Sequence, residues 1–503
     1  MDAILPAPVH AAIGEGIEFI YTLEKYVTPT VVLVPSVIEG PVQDLSEAIG
    51  FDVDTLKYTL AMFLCYPLGL LMNLVPYGKA KHAFSFFFGV FLLQFTVGSQ
   101  WIHQFITSMF CYVMFMILPA KTCKTIVPVF LMLYMTATHL HRQFINYLGW
   151  DMDYTSMQMV ITIKLYSLAY NLYDGELIAA GKEDRAAKKC AKFAVTKLPS
   201  LIEYLGFTFC FSNILCGPAV EYSIYAAACD GSLLYDKDGK PKGKIPSNII
   251  PTLWPLFKSL LLLGIFVVGS GYFPLLDPVD PQNNTPVVIT EEFLKNPWWY
   301  RYMYMWISLF PFRSKYYFGW ANAEGAINSW YAGFEGFDEE GKAKGWSNSI
   351  NVNIIGFETA PDVRTLSSEW NMKTQNWLAR YVYMRTGGSL VATYGLSAFW
   401  HGFYPGYYMF FFTIPLYTTC EREIRKKISP HFANHTSRFS PYYILCTLVT
   451  SFFIMYAVVT FPLLALEWSW ACWKSNYFVG HILAIAFLIF MKNFVKAPKK
   501  KEV

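Results

Sequence analysis

Hydrophobic positions in this chain come in long blocks, and the polar positions are gathered between them. Roughly eleven of these blocks approach or exceed the length of about 18 residues that marks a membrane-spanning helix. A helix satisfies all its backbone hydrogen bonds within one segment, so the pattern predicts an all-α, polytopic integral membrane protein. The predicted membrane helices lie at about residues 59–77, 83–99, 103–120, 126–141, 156–173, 200–217, 249–275, 299–320, 389–417, 441–466 and 478–494.

The domain organisation follows from the spacing of these blocks. No polar linker is long enough to separate a soluble domain, so residues 56–495 are predicted to form one membrane domain. Residues 1–55 mix polar and apolar positions with Pro and Gly, and they are expected to form interfacial or amphipathic helices. They lack a basic stretch followed by an apolar core, so no cleavable signal peptide is expected. Residues 496–503 form a basic tail.

Composition supports this interpretation and narrows the function. Of the 503 residues, 54% are hydrophobic and 15% are charged, whereas soluble proteins average about 25% charged residues. The net charge of +4 is modest, and basic residues cluster beside apolar runs. That pattern suits contact with membrane lipids and argues against nucleic-acid binding. The ten cysteines are scattered without a CxxC or Cys/His cluster, so neither a disulfide framework nor a metal site is predicted.

Basic segments predict the orientation and the location of the protein. The runs Lys182–Lys197 and Cys420–Lys427 and the C-terminal tail are expected on the cytosolic side, as the positive-inside rule requires. Lys500 and Lys501 lie fourth and third from the end of that tail. This spacing resembles a dilysine signal for retrieval to the endoplasmic reticulum, although a plain basic juxtamembrane tail would look the same.

One membrane segment is predicted to be broken or re-entrant. The acidic stretch Asp277–Lys295 carries the sequon Asn283-Asn284-Thr285, which suits the lumen. Strict alternation from the cytosolic loop cannot deliver it there through two complete spans. The Gly217-Pro218 pair favours a break in the segment 200–228 rather than in 249–275.

The stretch Ser389–Tyr417 holds the first candidate for chemistry. It carries no Asp, Glu, Lys or Arg, and His401 lies near its middle. An ionisable side chain at membrane depth is costly and is therefore a candidate functional residue. Pro405 is predicted to kink the helix at the histidine, and Gly402 and Gly406 would lie on one face where another helix or a ligand can approach. The alternative is a packed helix with a structural histidine.

A second candidate lies in the polar insertion Asp338–Thr386. Ser367 or Ser368 is predicted to cap a helix, because Glu369 would then stand in its first turn. On this helix Trp370, Thr374, Trp377 and Tyr381 would form one stripe, with Asn371, Gln375 and Leu378 beside it. Without further information, an amphipathic helix at the membrane surface would explain the pattern equally well.

Together the two candidates resemble the membrane-bound O-acyltransferase (MBOAT) family, most closely its lysophospholipid acyltransferase branch. The combination of WHG…PGYY with an upstream WN…W distinguishes this branch from sterol, diacylglycerol and protein acyltransferases. The resemblance covers roughly residues 55–495. The motifs that carry it are WNMKTQNWLARYVY (370–383), FWHGFYPGYY (399–408), PSLIEYLGFTFCFSNILCGP (199–218) and MQMVITIKLYSLAYNLYDG (157–175).

This resemblance implies a reaction and the residues that perform it. His401 would be the catalytic histidine and Asn371 its partner in a reaction chamber enclosed by the membrane helices. The fatty acyl group of acyl-CoA, as co-substrate, would pass directly to the free hydroxyl of a lysophospholipid such as lysophosphatidylcholine, without an acyl-enzyme or a permanently bound cofactor. Asn371 could orient the imidazole or the hydroxyl, or donate its amide to the developing oxyanion.

Other polar and aromatic residues are candidates for substrate contact. The CoA phosphates need cations, which Arg380, Arg385 and the run Lys188–Lys192 could supply unless these side chains only snorkel to the interface. Lys164 and Glu221 could line a polar cavity or pair with each other. The full set of substrate-binding candidates is Trp370, Thr374, Trp377, Arg380, Tyr381, Lys164, Glu221, Gly402 and Tyr407. Tyr154 and Asp174 are weaker candidates, and His139, His141 and His481 are expected to be structural or interfacial.

Three alternatives stay open at this point. A transporter or channel could use His401, Lys164 and Glu221 as an ion path, although no inverted repeat supports it. A member of the same family could acylate a sterol, a diacylglycerol or a peptide. The expected partners are acyl-CoA, a lysophospholipid and membrane lipids, and the sequence leaves homodimer formation open.

Overall fold

The computed structural model describes residues 36–50, 52–149, 152–276, 285–432 and 437–496. In these residues the protein is built from helices and contains no β-strand. This confirms the predicted all-α class. All ten cysteines lie in the described residues and none forms a disulfide. The expectation of interfacial helices over residues 1–55 is described only in part, because residues 1–35 lie outside the described ranges.

The α-helices are numbered in chain order. They are α1 (Ser36–Ile49), α2 (Val53–Met72), α3 (Lys79–Val97), α4 (Trp101–Ile117), α5 (Ala120–Ile145), α6 (Thr155–Ala179), α7 (Arg185–Cys190), α8 (Leu201–Thr208), α9 (Tyr222–Asp230), α10 (Ile249–Tyr272), α11 (Glu291–Leu294), α12 (Trp298–Asn328), α13 (Ile354–Glu358), α14 (Val363–Glu369), α15 (Met372–Leu378), α16 (Leu390–His401), α17 (Pro405–Lys427), α18 (Pro441–Val458), α19 (Thr460–Leu463), α20 (Leu466–Ser475) and α21 (Val479–Phe494). Short 3₁₀ turns occur at Gly98–Gln100, Ala191–Phe193, Val287–Ile289 and Ser429–Phe432, and a π-helical turn follows α15 at Ala379–Tyr383.

The helices group into two compact units. The first comprises Met1–Ser259, Gly319–Ile350 and Asn376–Thr393. Its central helix is α6, which is buried along most of its length and packs against α5 and α4. A helix that is buried on all sides needs partners for its polar side chains, so Lys164 and Asn171 of α6 must be hydrogen-bonded within the protein.

The second unit comprises Leu260–Phe318, Asn351–Gln375 and Tyr394–Val503. Its core brings together side chains from α12, α17, α18 and α20. The largest of them are Tyr302, Tyr417, Tyr456 and Trp473, each at most 5% exposed. Aromatic side chains bury large apolar areas, and this core therefore supplies much of the unit's stability.

The predicted number of about eleven membrane spans is not confirmed. Five stretches in the described residues are long and apolar enough to cross a membrane, and a sixth qualifies if the pair α20 and α21, bent by 65°, counts as one span. Those five are Val53–Met72, Lys79–Ile117, Ala120–Ile145, Ile249–Tyr272 and Pro441–Leu463. Helices α6 and α12 are long enough but do not meet this test, because buried polar and charged residues interrupt their apolar sequences.

The segment 200–228 is interrupted, in agreement with the sequence-based expectation. Helix α8 starts with a capping box in which the Ser200 N–H donates to Glu203 Oε2 at 2.7 Å. The helix ends at Thr208, and non-helical turns lead through Gly217 to the start of α9 at Tyr222. The alternative segment 249–275 instead contains one continuous helix, α10, despite Pro255.

Candidate active site

His401 is the last residue of α16, and the helical conformation ends immediately after it. Gly402 has φ +114°, a conformation that a residue with a side chain rarely adopts. Pro405 is the first residue of α17, where its missing N–H costs no helical hydrogen bond. The prediction of one kinked helix over 389–417 is therefore wrong. Proline favours an extended residue before it, and Tyr404 has this extended conformation. Tyr404 therefore precedes a new helix instead of continuing α16.

The imidazole of His401 lies among aromatic rings. Ring centroids of Trp400, Phe461, Phe411 and Tyr407 are 4.8, 5.0, 5.5 and 5.8 Å from the imidazole centroid. The side chain itself is half-buried. Rings on several sides restrict the orientations that the imidazole can adopt and limit the access of water to it. The candidate Tyr407 thus lies beside His401. The candidate Gly402 follows His401 directly, between α16 and α17.

Gly406 fixes the start of α17 against α19. Its N–H donates to the Leu464 carbonyl at 2.7 Å, and Thr460 Oγ1 donates to the Gly406 carbonyl at 2.9 Å. A Cβ atom at this position would lie 2.1 Å from the Thr460 carbonyl oxygen, so only glycine fits. Gly406 thus permits a close helix approach, as predicted. Gly402 does not share its helix face, because the break separates the two glycines.

Asn371 lies between α14 and α15 and not within a helix. Its φ is +44°, in the left-handed region that asparagine tolerates better than most residues. Helix α14 is capped by Asp362, whose side chain accepts the Thr365 N–H at 2.7 Å. The predicted caps Ser367 and Ser368 lie inside α14, so that helix assignment is wrong. The cap is instead an aspartate five to six residues upstream.

The side chain of Asn371 is bound by a residue that the sequence did not point to. Asn351, which is 2% exposed, donates from Nδ2 to Asn371 Oδ1 at 3.2 Å. Both residues and His401 belong to the second unit. Asparagine is common in polar insertions such as Asp338–Thr386, and nothing in the sequence distinguishes Asn351 from its neighbours.

Trp370 packs in an aromatic cluster next to Asn371. Its ring centroid is 5.0 Å from that of Phe357 and 5.6 Å from that of Tyr317. Tyr317 donates to Glu358 Oε1 at 2.7 Å, and Arg313 makes a bidentate ion pair with the same carboxylate at 2.9–3.1 Å. The contacts of Trp370 therefore favour a packing role over substrate contact. Thr374, one turn into α15, is 8% exposed.

The other members of the predicted stripe belong to the first unit, where three candidates meet. Tyr381 donates to Asn171 Oδ1 at 2.7 Å, and Asn171 Nδ2 donates to Glu221 Oε2 at 2.8 Å. Arg380 forms an ion pair with Glu221 and lies 4.3 Å over the ring of Phe193. Trp377 is 1% exposed and packs edge-on against Tyr166. The π-helical turn at Ala379–Tyr383 ends the regular stripe that α-helical periodicity predicts.

Lys164 satisfies the carbonyl groups at the end of α8. Its ammonium group donates to the Phe207 carbonyl at 2.8 Å, the Thr208 carbonyl at 3.2 Å and Asn213 Oδ1 at 2.7 Å. The last carbonyls of a helix have no partners within it, and α8 ends in a buried environment. Of the two alternatives for these residues, the one in which Lys164 pairs with Glu221 is wrong, because Lys164 binds the interrupted segment and Arg380 pairs with Glu221.

The remaining charged candidates have protein partners. Arg385 pairs with Asp174 at 2.5 Å and lies 3.8 Å from Asp184. Lys188 lies 3.8 Å from Glu183.

The weaker aromatic and histidine candidates lie in packed surroundings. Tyr154 stacks on His103, and His139 is 8% exposed. His481 has Tyr456 Oη at 2.9 Å and Thr413 Oγ1 at 3.2 Å, which supports the structural role expected of it.

Comparison with known proteins assigns the chain to a family. The sequence model of MBOAT, the membrane-bound O-acyltransferase family, matches residues 91–466, which is most of the chain and includes Asn371 and His401. The chain belongs to the membrane-bound O-acyltransferase family. It is therefore a membrane-bound O-acyltransferase enzyme of lipid metabolism, and the transporter alternative is set aside.

Relatives with similarity over most of this MBOAT chain are named lysophospholipid or glycerophospholipid acyltransferases. Lysophospholipid acyltransferase 6 of Drosophila melanogaster is 29% identical over 476 residues, which cover 91% of this chain and 64% of the fly protein. Membrane-bound glycerophospholipid O-acyltransferase 2 of Gallus gallus is 28% identical over 474 residues, 92% of this chain and 90% of the chicken protein. Lysophospholipid acyltransferase of Schizosaccharomyces pombe is 28% identical over 479 residues, 90% of this chain and 89% of the yeast protein.

We expect Gly406→Ala to destabilise the protein. The new Cβ would meet backbone atoms of Thr460 and Leu464 that cannot turn away, and overpacking of this kind costs about 1–3 kcal/mol. The thermal midpoint of the purified protein in detergent measures the loss. Gly395→Ala is the matched control, because Gly395 lies in α16 with open space around it, and alanine favours a helix. A midpoint unchanged by Gly406→Ala would contradict the close approach.

We expect Lys164→Met to destabilise the interrupted segment after α8. Methionine fills a similar volume but leaves the Thr208 carbonyl and Asn213 Oδ1 without the ammonium donor, at about 1–3 kcal/mol for each unsatisfied group. The Phe207 carbonyl loses one of its donors and keeps the Cys210 N–H. The exposed Lys197 provides the control variant Lys197→Met. Equal thermal midpoints for the two variants in detergent would show that Lys164 does not hold this segment.

Proposed function

We propose that this enzyme transfers a fatty acyl group from acyl-CoA to the free hydroxyl of a lysophospholipid, with lysophosphatidylcholine or a related lysolipid as acceptor. The names of the relatives support the acceptor class, since they are lysophospholipid or glycerophospholipid acyltransferases. The observation that carries the proposal is His401, which stands at a helix end among four aromatic rings in the unit that also holds Asn371.

His401 would act as a general base. A lysolipid hydroxyl is a weak nucleophile at neutral pH, and an imidazole with an unperturbed pKa of about 6.5 can take its proton during the attack. The hydroxyl oxygen bonds to the thioester carbon, and the carbonyl electrons move to the oxygen. Collapse of this intermediate re-forms the carbonyl and breaks the C–S bond, and the CoA sulfur takes the proton from His401 and leaves as the thiol. Transfer is direct, so no acyl-enzyme forms.

The surroundings of His401 suit these substrates. The acyl chain of the donor and the chain of the lysolipid need apolar volume, and the rings of Trp400, Tyr407, Phe411 and Phe461 line the histidine. The CoA phosphates need cations. Arg380 and Arg385 are less suitable than the sequence suggested, since acidic side chains already compensate both of them. Within the run Lys188–Lys192, the exposed Lys189 and Lys192 stay better candidates for phosphate contact than Lys188, which lies near Glu183.

We place the enzyme in the endoplasmic reticulum membrane, with its C-terminus in the cytosol and a role in phospholipid remodelling. The support is the distribution of basic segments and the dilysine-like tail, which lies outside the described residues.

We expect His401→Ala to abolish acyl transfer. Loss of a general base typically costs about 10²–10⁴-fold in rate. The measurement is incorporation of labelled acyl-CoA into phosphatidylcholine by membranes that contain equal amounts of wild type or variant and excess lysophosphatidylcholine. His431→Ala is the matched control, because His431 is an exposed histidine in the Ser429–Phe432 turn. Undiminished activity of His401→Ala would refute the catalytic assignment.

The acceptor class has its own test. One labelled acyl-CoA is offered with a lysophospholipid, a sterol, a diacylglycerol or a peptide to the same membranes, and only the lysophospholipid is expected to give product. A product formed from one of the other acceptors alone would overturn the proposed acceptor while leaving the family assignment intact.

A further inference from the structure

Asn351 binds the turn that contains Asn371 at three points. Its carbonyl accepts the Met372 N–H at 2.7 Å, its Oδ1 accepts the Lys373 N–H at 2.9 Å, and its Nδ2 donates to Asn371 Oδ1 at 3.2 Å. The side chain of Asn351 is buried, at 2% exposure. These bonds satisfy the free N–H groups at the start of α15 and hold Asn371 at its positive φ.

The same bonds determine which end of the Asn371 amide is bound to Asn351 and which end is not. A backbone N–H can only donate, so the Asn351 atom at Lys373 must be the oxygen Oδ1. The other end of that amide, Nδ2, can only donate, and the Asn371 atom it meets must therefore be an acceptor, Oδ1. The orientation of Asn371 thus follows from a chain of hydrogen bonds that begins at a backbone amide.

The amide nitrogen of Asn371 is left available by this arrangement. In the described part of the chain, the hydrogen bonds of Asn371 use its two oxygens, Oδ1 toward Asn351 and the carbonyl toward the Gln375 N–H. The side chain is half-buried rather than sealed in the core. Nδ2 therefore keeps two hydrogens with which it can bind a substrate acceptor.

We propose that Asn351 is a positioning residue, which turns the Asn371 amide so that Nδ2 donates to the thioester carbonyl oxygen as it becomes an oxyanion. This inference rests on the proposed acyl transfer. As the lysolipid oxygen bonds to the thioester carbon, the carbonyl electrons move to the oxygen, and the Asn371 N–H stabilises that charge. When the C–S bond breaks, the electrons return and the carbonyl re-forms. The base that takes the hydroxyl proton is still His401.

The test variant is Asn351→Asp. It has the size of asparagine and keeps an acceptor for the Lys373 N–H, but it puts a second acceptor against Asn371 Oδ1. The Asn371 amide must then turn its Nδ2 toward the new carboxylate and present its oxygen to the substrate. At pH 8.5, well above the usual aspartate pKa of about 3.9, we expect kcat to fall by about 10²-fold, the effect of losing one oxyanion donor. KM for both substrates should change little.

Asn353→Asp is the matched control. Asn353 lies two residues away, is exposed, and accepts the Gly356 N–H at 3.1 Å to cap α13. Aspartate serves this capping role as well as asparagine does. The control adds the same charge to the same segment, and we expect it to keep wild-type kcat. A kcat for Asn351→Asp that also stays at the wild-type value would overturn the proposal.

A double-mutant cycle separates positioning from general damage to the fold. Asn371→Ala alone should lower kcat by about 10²–10³-fold. Adding Asn351→Asp to Asn371→Ala should cost nothing more, because no amide is left to be turned. Additive losses would mean that Asn351 acts only on stability and would overturn the proposal. If Asn351→Asp does not give a folded, monodisperse protein in detergent, Asn351→Ala enters the same cycle with the same two outcomes.

A failure of the role proposed for Asn351 can be distinguished from a failure of the proposed acyl transfer. An inactive wild type, or a fully active His401→Ala, would refute the acyl-transfer mechanism itself. An active wild type and an inactive His401→Ala, together with a wild-type kcat for Asn351→Asp, would refute the role of Asn351 alone.

Discussion

A helix that breaks in apolar surroundings exposes backbone N–H and C=O groups that water cannot reach, and each must find a partner within the protein. In the first unit, Lys164 binds the carbonyls left at the end of α8. In the second, Asn351 binds the N–H groups at the start of α15, and Thr460 and Leu464 bind Gly406 beside the break after His401. The two residues expected to perform chemistry, His401 and Asn371, stand at two of these breaks.

Buried charges are compensated in pairs, and this determines which of them are available for substrates. Asp174 is fully buried and Arg385 nearly so, and the two form an ion pair. Arg380 and Glu221 are similarly paired, with Asn171 and Tyr381 supplying further hydrogen bonds. Removing one partner of such a pair typically costs about 3–5 kcal/mol, because the other charge is left buried alone. An arginine held in this way is a poor candidate to move toward a CoA phosphate.

The sequence predicted the features that depend on local pattern. Apolar runs located α2, α5, α10 and α18, because about twenty apolar residues are enough to identify a helix that can cross a membrane. The Gly217-Pro218 pair indicated the interrupted segment, and the motifs around Asn371 and His401 indicated the family.

The features that the sequence did not predict depend on long-range partners. Hydropathy cannot distinguish a kinked helix from two helices, so the break after His401 was missed. Lys164 meets Asn213 across 49 residues and Asn351 meets Asn371 across 20. Neither pairing leaves a periodic signal, because the hydropathy pattern is the same whichever polar side chain stands at these positions. The positive φ of Asn371 likewise goes with the hydrogen bonds from Asn351, which lies 20 residues away in the sequence.

Asn371 has to meet two requirements at once, and together they explain why asparagine stands there. The turn between α14 and α15 needs a residue that tolerates a φ of +44°, which glycine, asparagine and aspartate do. In the proposed mechanism the oxyanion donor is a side-chain amide, which glutamine and asparagine carry and glycine and aspartate do not. Glutamine has the amide but is not favoured in the left-handed region. Among the residues favoured at this φ, asparagine is the one with a side-chain amide, and in the proposed mechanism Asn351 orients the nitrogen of that amide as the donor.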